Sequence, residues 1–420
     1  MPIAASLDLS VVRSHFPAFD LPAYQGQSFF ENAGGSFACR QTIDALHRFY
    51  TETKVQPYAD YGPSALAGAQ MDSSRSRWAQ ALGVDVDEVQ FGPSTSMNTY
   101  VLAKAFGEIL GPGDEVIVTN QDHEANTGAV RRMAKSVGAT LREWRVDRAT
   151  GVLEGNGLDE LLNERTRLVC FPHCSNIVGQ QNPATEWTAA AHAVGARVIV
   201  DGVSYAPHGL PDVAEMGADV YLFSLYKVYS VHQGLMVTAN GIVDELPNQG
   251  HGFNAELASK RLTPAGPDHA QEAAAGAVLD YVSALYVAHG GDAKASLRDQ
   301  AAGVTTLWQD HETRLVEPVL SWLEDHDGVR LIGPARADDQ SQHRCPTVAF
   351  TPRALAPADV AAGLVERGIM CGHGDFYAGR LLEGVDVDAN SGVVRVSWVH
   401  YTDQSDIDRL LGALQDTLGS

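Results

Sequence analysis

The chain has 420 residues, 45% hydrophobic and 20% charged, an ordinary globular balance for two or three domains. Fifty-two acidic against 30 basic residues give a formal net charge of −22, a surface that repels nucleic acid and anionic lipid and argues against both as partners. Five irregularly spaced cysteines (Cys39, Cys170, Cys174, Cys345, Cys371) include no CxxC pair, which argues against structural zinc and for a reducing compartment. Met1 to Phe19 lacks a basic start followed by an apolar run, and no stretch reaches the length of a membrane span. The expected location is cytoplasmic.

From about residue 65 to 240, short apolar strands alternate with helices. The strands are expected at Glu115–Thr119, Arg167–Pro172, Arg197–Asp201, Val220–Ser224 and Gly234–Thr238, with a helix at Glu186–Val194 stopped by Gly195. Strands rich in Val, Ile and Leu, alternating with helices, predict a mostly parallel α/β sheet. Long helical stretches follow, Gln271–Ala288 and about Ala293–Asp325. The pattern then turns mixed: strand Thr347–Thr351, helix Pro357–Arg367, strand Val393–Val399, helix Ser405–Leu418. This change predicts a smaller α+β domain at the C-terminus.

Functional groups of an open α/β sheet gather at the carboxyl ends of its strands. Here these ends carry Asp201, then Ser224 with Tyr226 and Lys227, then Asn176, and His123 in the segment Asn120–Asn126. A short strand also runs through Phe91-Gly92 into Ser94, Thr95 and Ser96 at a helix start. Singly, each has a plain reading: a solvated lysine, a turn aspartate, a capping serine. Together they match what pyridoxal 5′-phosphate (PLP) requires. Lys227 supplies the amine for a Schiff base. A carboxylate at Asp201 would keep the pyridine nitrogen protonated, since an opposite charge favours the charged form. The imidazole of His123 suits ring stacking, and the Asn176 amide suits the ring hydroxylate. Ser94, Thr95 and Ser224 offer hydroxyls at a helix N-terminus, a natural phosphate site.

DGVSYAPHG followed by a strand and SLYK, with DHEAN and SNIVGQ upstream, resembles the class V aminotransferase family, above all its cysteine desulfurase branch. The likeness runs from FFENAGG at Phe29 to WVHYTDQSDIDRLL at the C-terminus. It implies PLP fold type I, aspartate-aminotransferase-like, with a large mostly parallel-sheet domain and a smaller α+β C-terminal domain. Residues 1–60 would form an arm on the small domain and active site, 61–295 the PLP-binding domain, and 296–420 the small domain. The family's roles fall on His123, Asn176, Asp201 and Lys227, with Ser94, Thr95, Ser204, Ser224 and Tyr226 also around the cofactor. Arg395 matches the arginine that grips the substrate carboxylate, and Asn32, Ala33 and Gly34 stand where substrate contacts are expected. The resemblance further implies a homodimer, a small amino-acid substrate and no metal.

The sequence also departs from that family. Ser204 replaces a glutamine, Tyr226 a histidine, Pro267 the threonine that reaches a partner's phosphate, and Gly372 a loop arginine. Tyr377 stands at the position of the persulfide-forming cysteine, and Cys371 lies six residues earlier. The expected reaction is therefore cleavage of a carbon–sulfur (or selenium) bond by direct β-elimination, with Tyr377 assisting at the site. A sulfur-acceptor protein has no support in the sequence. Transamination or epimerisation at Cα is the alternative within enzymes, and a catalytically inactive PLP-fold binding or regulatory protein is the alternative outside them.

Overall fold

In the computed structural model, which describes residues 6–339 and 342–419, the apolar runs form a seven-stranded sheet. Its strands are β1 (Val89–Gly92), β2 (Glu115–Thr119), β3 (Thr140–Trp144), β4 (Thr166–Pro172), β5 (Arg197–Asp201), β6 (Val220–Ser224) and β7 (Gly234–Thr238). They lie in the order β1-β7-β6-β5-β4-β2-β3. Only β7 runs against its neighbours; the other pairings are parallel. Strands β1, β2, β6 and β7 are buried at every position, as a sheet covered on both faces requires. The edge strand β3 reads Thr-Leu-Arg-Glu-Trp and begins exposed, so its sequence lacks the apolar run that marks the others.

Helices α1 (Thr95–Phe106) and α2 (Glu124–Val137) leave the carboxyl ends of β1 and β2. The helical stretch expected over Gln271–Ala288 is two helices, His269–Ala275 and Val278–Ala288. The break falls at Gly276, where a Cβ would come within 2.8 Å of the Ser74 Cα and where the backbone N–H donates to Ser74 Oγ at 2.8 Å. A helix–helix contact this close tolerates only glycine and diverts one N–H from the helical ladder.

A second, antiparallel sheet has β8 (Val329–Ile332), β9 (Thr347–Pro352), β10 (Gly372–Gly374) and β11 (Val393–Ser397) in the order β10-β11-β9-β8. Its core joins Val348, Phe350, Val394, Val396 and Trp398 to Leu364 of helix α3 (Pro357–Glu366) and Leu410 and Leu414 of helix α4 (Gln404–Leu418). The 29-residue helix Leu297–Asp325 serves both cores: Ala301, Val304 and Trp308 pack with the large sheet, Leu315, Val319 and Leu323 with the small one. The N-terminal segment does the same, through Phe16 in the first core and Phe30 in the second. Just before Phe30, Ser28–Phe29 pairs in parallel with Ile369–Met370. No helix among the described residues is long and apolar enough to cross a membrane.

Candidate active site

The carboxyl ends of β2, β4, β5 and β6 converge on a cavity of about 310 Å³ lined by Ser94, Thr95, His123, Asn176, Asp201, Ser204, Ser224, Tyr226 and Lys227. Nine residues expected around a cofactor thus share one cavity, although they come from five separate stretches of chain.

Lys227 ends the short 3-10 turn Leu225–Lys227 that follows β6 and is buried. Burial, and secondarily the charge of Arg395, lower its pKa from 10.5 to about 8, against the opposing pull of Asp201 and Glu31. An amine so placed has a far larger nucleophilic fraction near neutral pH than an ordinary lysine. Asp201 closes β5, is buried, and accepts the Val203 N–H at 2.8 Å. Burial pushes its pKa up to about 6, while that N–H and the charge of Lys227 restrain the rise. Asp122 also lines the cavity, a second buried carboxylate that the sequence reading passed over because His123 beside it already had a role. Its burial, and then the charge of Asp201, hold its pKa well above the carboxylate range. Asn126 Nδ2 donates to its Oδ2 at 2.6 Å, and its Oδ1 is buried without a partner. A proton on Asp122 leaves Asp201 as the carboxylate of the pair that carries charge.

His123 is the N-cap of α2, and its Nδ1 accepts the Ala125 N–H at 3.0 Å, which places the ring proton on Nε2. Burial, followed by the charges of Lys227 and Arg395, lowers its pKa to about 3. The imidazole is therefore neutral, a flat aromatic face rather than a cation. Asn176 donates from Nδ2 to the Phe376 carbonyl at 3.0 Å, and its Oδ1 is buried and unpaired.

Another part of the lining suits an anion. Ser94 caps α1 by accepting the Met97 N–H at 3.2 Å, and the hydroxyls of Thr95 and Ser224 meet at 2.7 Å. Two glycines make this cradle possible. A Cβ on Gly92 would fall 1.8 Å from Asn98 Oδ1, and one on Gly234 would fall 2.5 Å from the backbone of both Ser94 and Thr95. Asn98 Nδ2 in turn donates to the Gly234 carbonyl at 3.3 Å, which ties the helix start to β7. Gly234→Ala should therefore lower stability by about 1–3 kcal/mol through overpacking, and should weaken PLP binding at least tenfold. Thermal melting and titration of the cofactor-free protein with PLP check both; unchanged affinity would show that the cradle is not the phosphate site. His232, which no motif singled out, also lines the cavity, stacked on Tyr226 at 4.9 Å. The second Nδ2 hydrogen of Asn176, the glycine-lined anion cradle, the lysine with a lowered pKa and the buried carboxylate together fit PLP.

The expected substrate residues lie at the margin. Arg395, on β11, is buried and donates from Nη1 to the Asn176 carbonyl at 3.2 Å, while its guanidinium lies 3.7 Å over the Phe376 ring. Its Nη2 donates to Glu31 at 2.7 Å, a contact the sequence did not announce. Asn32 spends its Nδ2 on the carbonyls of Ser397 and Phe29, and its Oδ1 accepts the Tyr401 hydroxyl. The Ala33 N–H donates to Ser397 Oγ at 2.8 Å, so Asn32 and Ala33 fasten the N-terminal segment to β11, while the Gly34 N–H closes a local turn onto the Glu31 carbonyl at 2.9 Å. Tyr377 is 70% exposed, with its ring 5.2 Å from that of His123. Phe376 and Tyr377 both adopt left-handed backbone, φ 47° and 59°, uncommon for bulky side chains. Their carbonyls are held by Asn176 and by the Glu124 N–H. Gly266 and Pro267 line a different cavity, together with Tyr58 and Phe253.

Comparison with known proteins agrees with this geometry. The family model for class-V aminotransferases matches residues 28–256 and 266–410. The chain is 32% identical to the aminotransferase-like protein FGM3 of Gibberella zeae, over 99% of this chain and 100% of that protein. It is 28% identical to a cysteine desulfurase of Cronobacter sakazakii, over 97% and 98%. A solved cysteine desulfurase from Thermococcus onnurineus superposes with a TM-score of 0.84 at 20% identity, over 100% and 99%, which places the fold. The chain belongs to the class-V aminotransferase family.

Proposed function

We propose that the chain is a PLP-dependent enzyme that breaks the bond between Cβ and sulfur, or selenium, of an amino acid by β-elimination, without a protein-bound persulfide. The observation that carries this reading is the absence of an activated thiol where the desulfurases need one. Tyr377 occupies that position. Cys371 is largely buried, and burial, then the charge of Glu31, pushes its pKa up to about 12. Its relatives named as cysteine desulfurases support the substrate class, since they share nearly the full length.

Bound at this site, PLP supplies an electron sink for a carbanion at the substrate Cα. Arg395 orients the substrate α-carboxylate. Lys227 Nζ takes the Cα proton, a role suited to an amine whose pKa lies near the working pH. Asp201 holds the proton on the pyridine nitrogen. The sulfur leaves Cβ with the bonding pair as a small thiolate or sulfide, and a Cα–Cβ double bond remains. The neutral ring of His123 would offer an aromatic face to the cofactor ring and help exclude water.

Cys371→Ala should retain most of the activity on the true substrate, and sulfur should appear in solution as sulfide or a small thiol. Tyr377→Phe should lower turnover severalfold if the hydroxyl orients the substrate or its leaving group. An inactive Cys371→Ala protein, with an alkylatable persulfide on Cys371 in the wild type, would restore persulfide transfer and overturn this reading. A homodimer in the cytoplasm belongs to the same proposal. Phe253, 84% exposed beside the cavity of Gly266 and Pro267, supports the first, and five cysteines that are all free support the second.

A further inference from the structure

Arg395 is only half engaged. Nη1 meets the Asn176 carbonyl and Nη2 meets Glu31 Oε1, but its Nε is buried without a partner. Glu31 mirrors this, since its Oε2 is likewise buried and unpaired. The arginine side chain is 4% exposed and the glutamate 30%, so the pair is reached from the glutamate side, and both charges act on Lys227. A buried guanidinium with an idle N–H and a carboxylate with an idle oxygen describe a contact that another carboxylate can take over.

Two glycines shape the niche that holds Glu31. A Cβ on Gly372 would fall 2.7 Å from Glu31 Oε2, and one on Gly34 would fall 2.8 Å from Oε1. Gly372 is the position where the resembling family carries a loop arginine. Here that cation is gone, and the glutamate carboxylate occupies the space beside it. The backbone around Glu31 is pinned on both sides, with the Phe30 N–H on the Met370 carbonyl at 2.8 Å and the Asn32 N–H on the Ser397 carbonyl at 3.2 Å. Release of Arg395 is thus a rotation of the Glu31 side chain, and the freed carboxylate stays at the site.

We infer that Glu31 is a built-in competitor for the substrate carboxylate: it neutralises Arg395 in the resting enzyme, yields to the incoming α-carboxylate, and then bars a second anionic group. The site therefore selects amino acids with one carboxylate and disfavours acidic side chains. This rests on Arg395 as the carboxylate clamp but not on which bond is broken afterwards.

The test uses the holoenzyme and two unreactive probes, propionate and succinate, with binding followed by calorimetry. Glu31→Gln keeps the shape and removes the charge. It should bind propionate at least tenfold more tightly than wild type, with circular dichroism confirming that it stays folded, and should gain more for succinate than for propionate. Gly372→Ala, which crowds the carboxylate out of its niche, should shift propionate affinity in the same direction. Unchanged or weaker propionate binding in Glu31→Gln would overturn the inference, and an equal gain for the two probes would remove the selection against acidic side chains. Arg395→Ala in the Glu31→Gln background separates the two levels. If propionate binding survives there, the clamp assignment itself fails; if it is lost while Glu31→Gln shows no gain over wild type, only the competitor role fails.

Discussion

Lys227→Ala should yield a colourless protein that no longer retains PLP through gel filtration and turns over its substrate at least a thousandfold more slowly. The lysine stands at the end of β6, inside the cavity, with its pKa brought down to about 8. Burial is the main cause, because a charged ammonium is penalised where water is excluded. A second readout follows from the sign of that shift. In cofactor-free wild-type protein, the rate of borohydride-trappable PLP attachment should rise with pH as the amine loses its proton and level off above about 8. An ordinary surface lysine, with a pKa of about 10.4, would keep gaining well beyond that point. Peptide mapping that located the phosphopyridoxyl group on another lysine would refute the assignment.

Asp201→Asn should fold and bind PLP with near-normal affinity, yet exchange the substrate Cα proton for deuterium at least a thousandfold more slowly. A carboxylate beside the pyridine nitrogen would favour its protonated form, and an amide of the same shape lacks the charge. Asp122 makes the outcome sharper than one carboxylate alone would. Held protonated by burial and by Asp201, it is a latent substitute when Asp201 is neutralised. The double variant Asp122→Asn, Asp201→Asn should therefore be slower still, and near-normal exchange in the single variant would mean that Asp122 has taken over the role. NMR of the Cα proton in heavy water reads all three proteins directly.

Much of the site could be read from the chain because strand ends are local events. An apolar run that stops at Asp201, Ser224 or Pro172 places the next polar group at one edge of the sheet, whatever happens elsewhere. The limits of β5, β6 and β7 follow from that alone. What stayed hidden depends on contacts between distant stretches. Glu31 meets Arg395 across 364 residues, and no periodicity or spacing relates them. Asp122 and Asp201 influence each other only because β2 and β5 flank β4 in the sheet order. The left-handed Phe376 and Tyr377 carry none of the glycine or asparagine that usually announces such a turn. The break at Gly276 was invisible for the same reason, since Ser74 on another helix enforces it.

The helix Leu297–Asp325 has a consequence for anyone who would cut this protein into parts. It is about 43 Å long at the usual rise per residue, and its first half belongs to one core while its second half belongs to the other. A gene fragment that stopped before residue 297 would lose Trp308, which is 1% exposed and stacks at 4.2 Å on His400. The complementary fragment would carry that indole, with Ala301 and Val304, into water. Neither half is a transferable cassette, and chimaeras with relatives would need both cores from the same parent or a seam repaired along the whole rod.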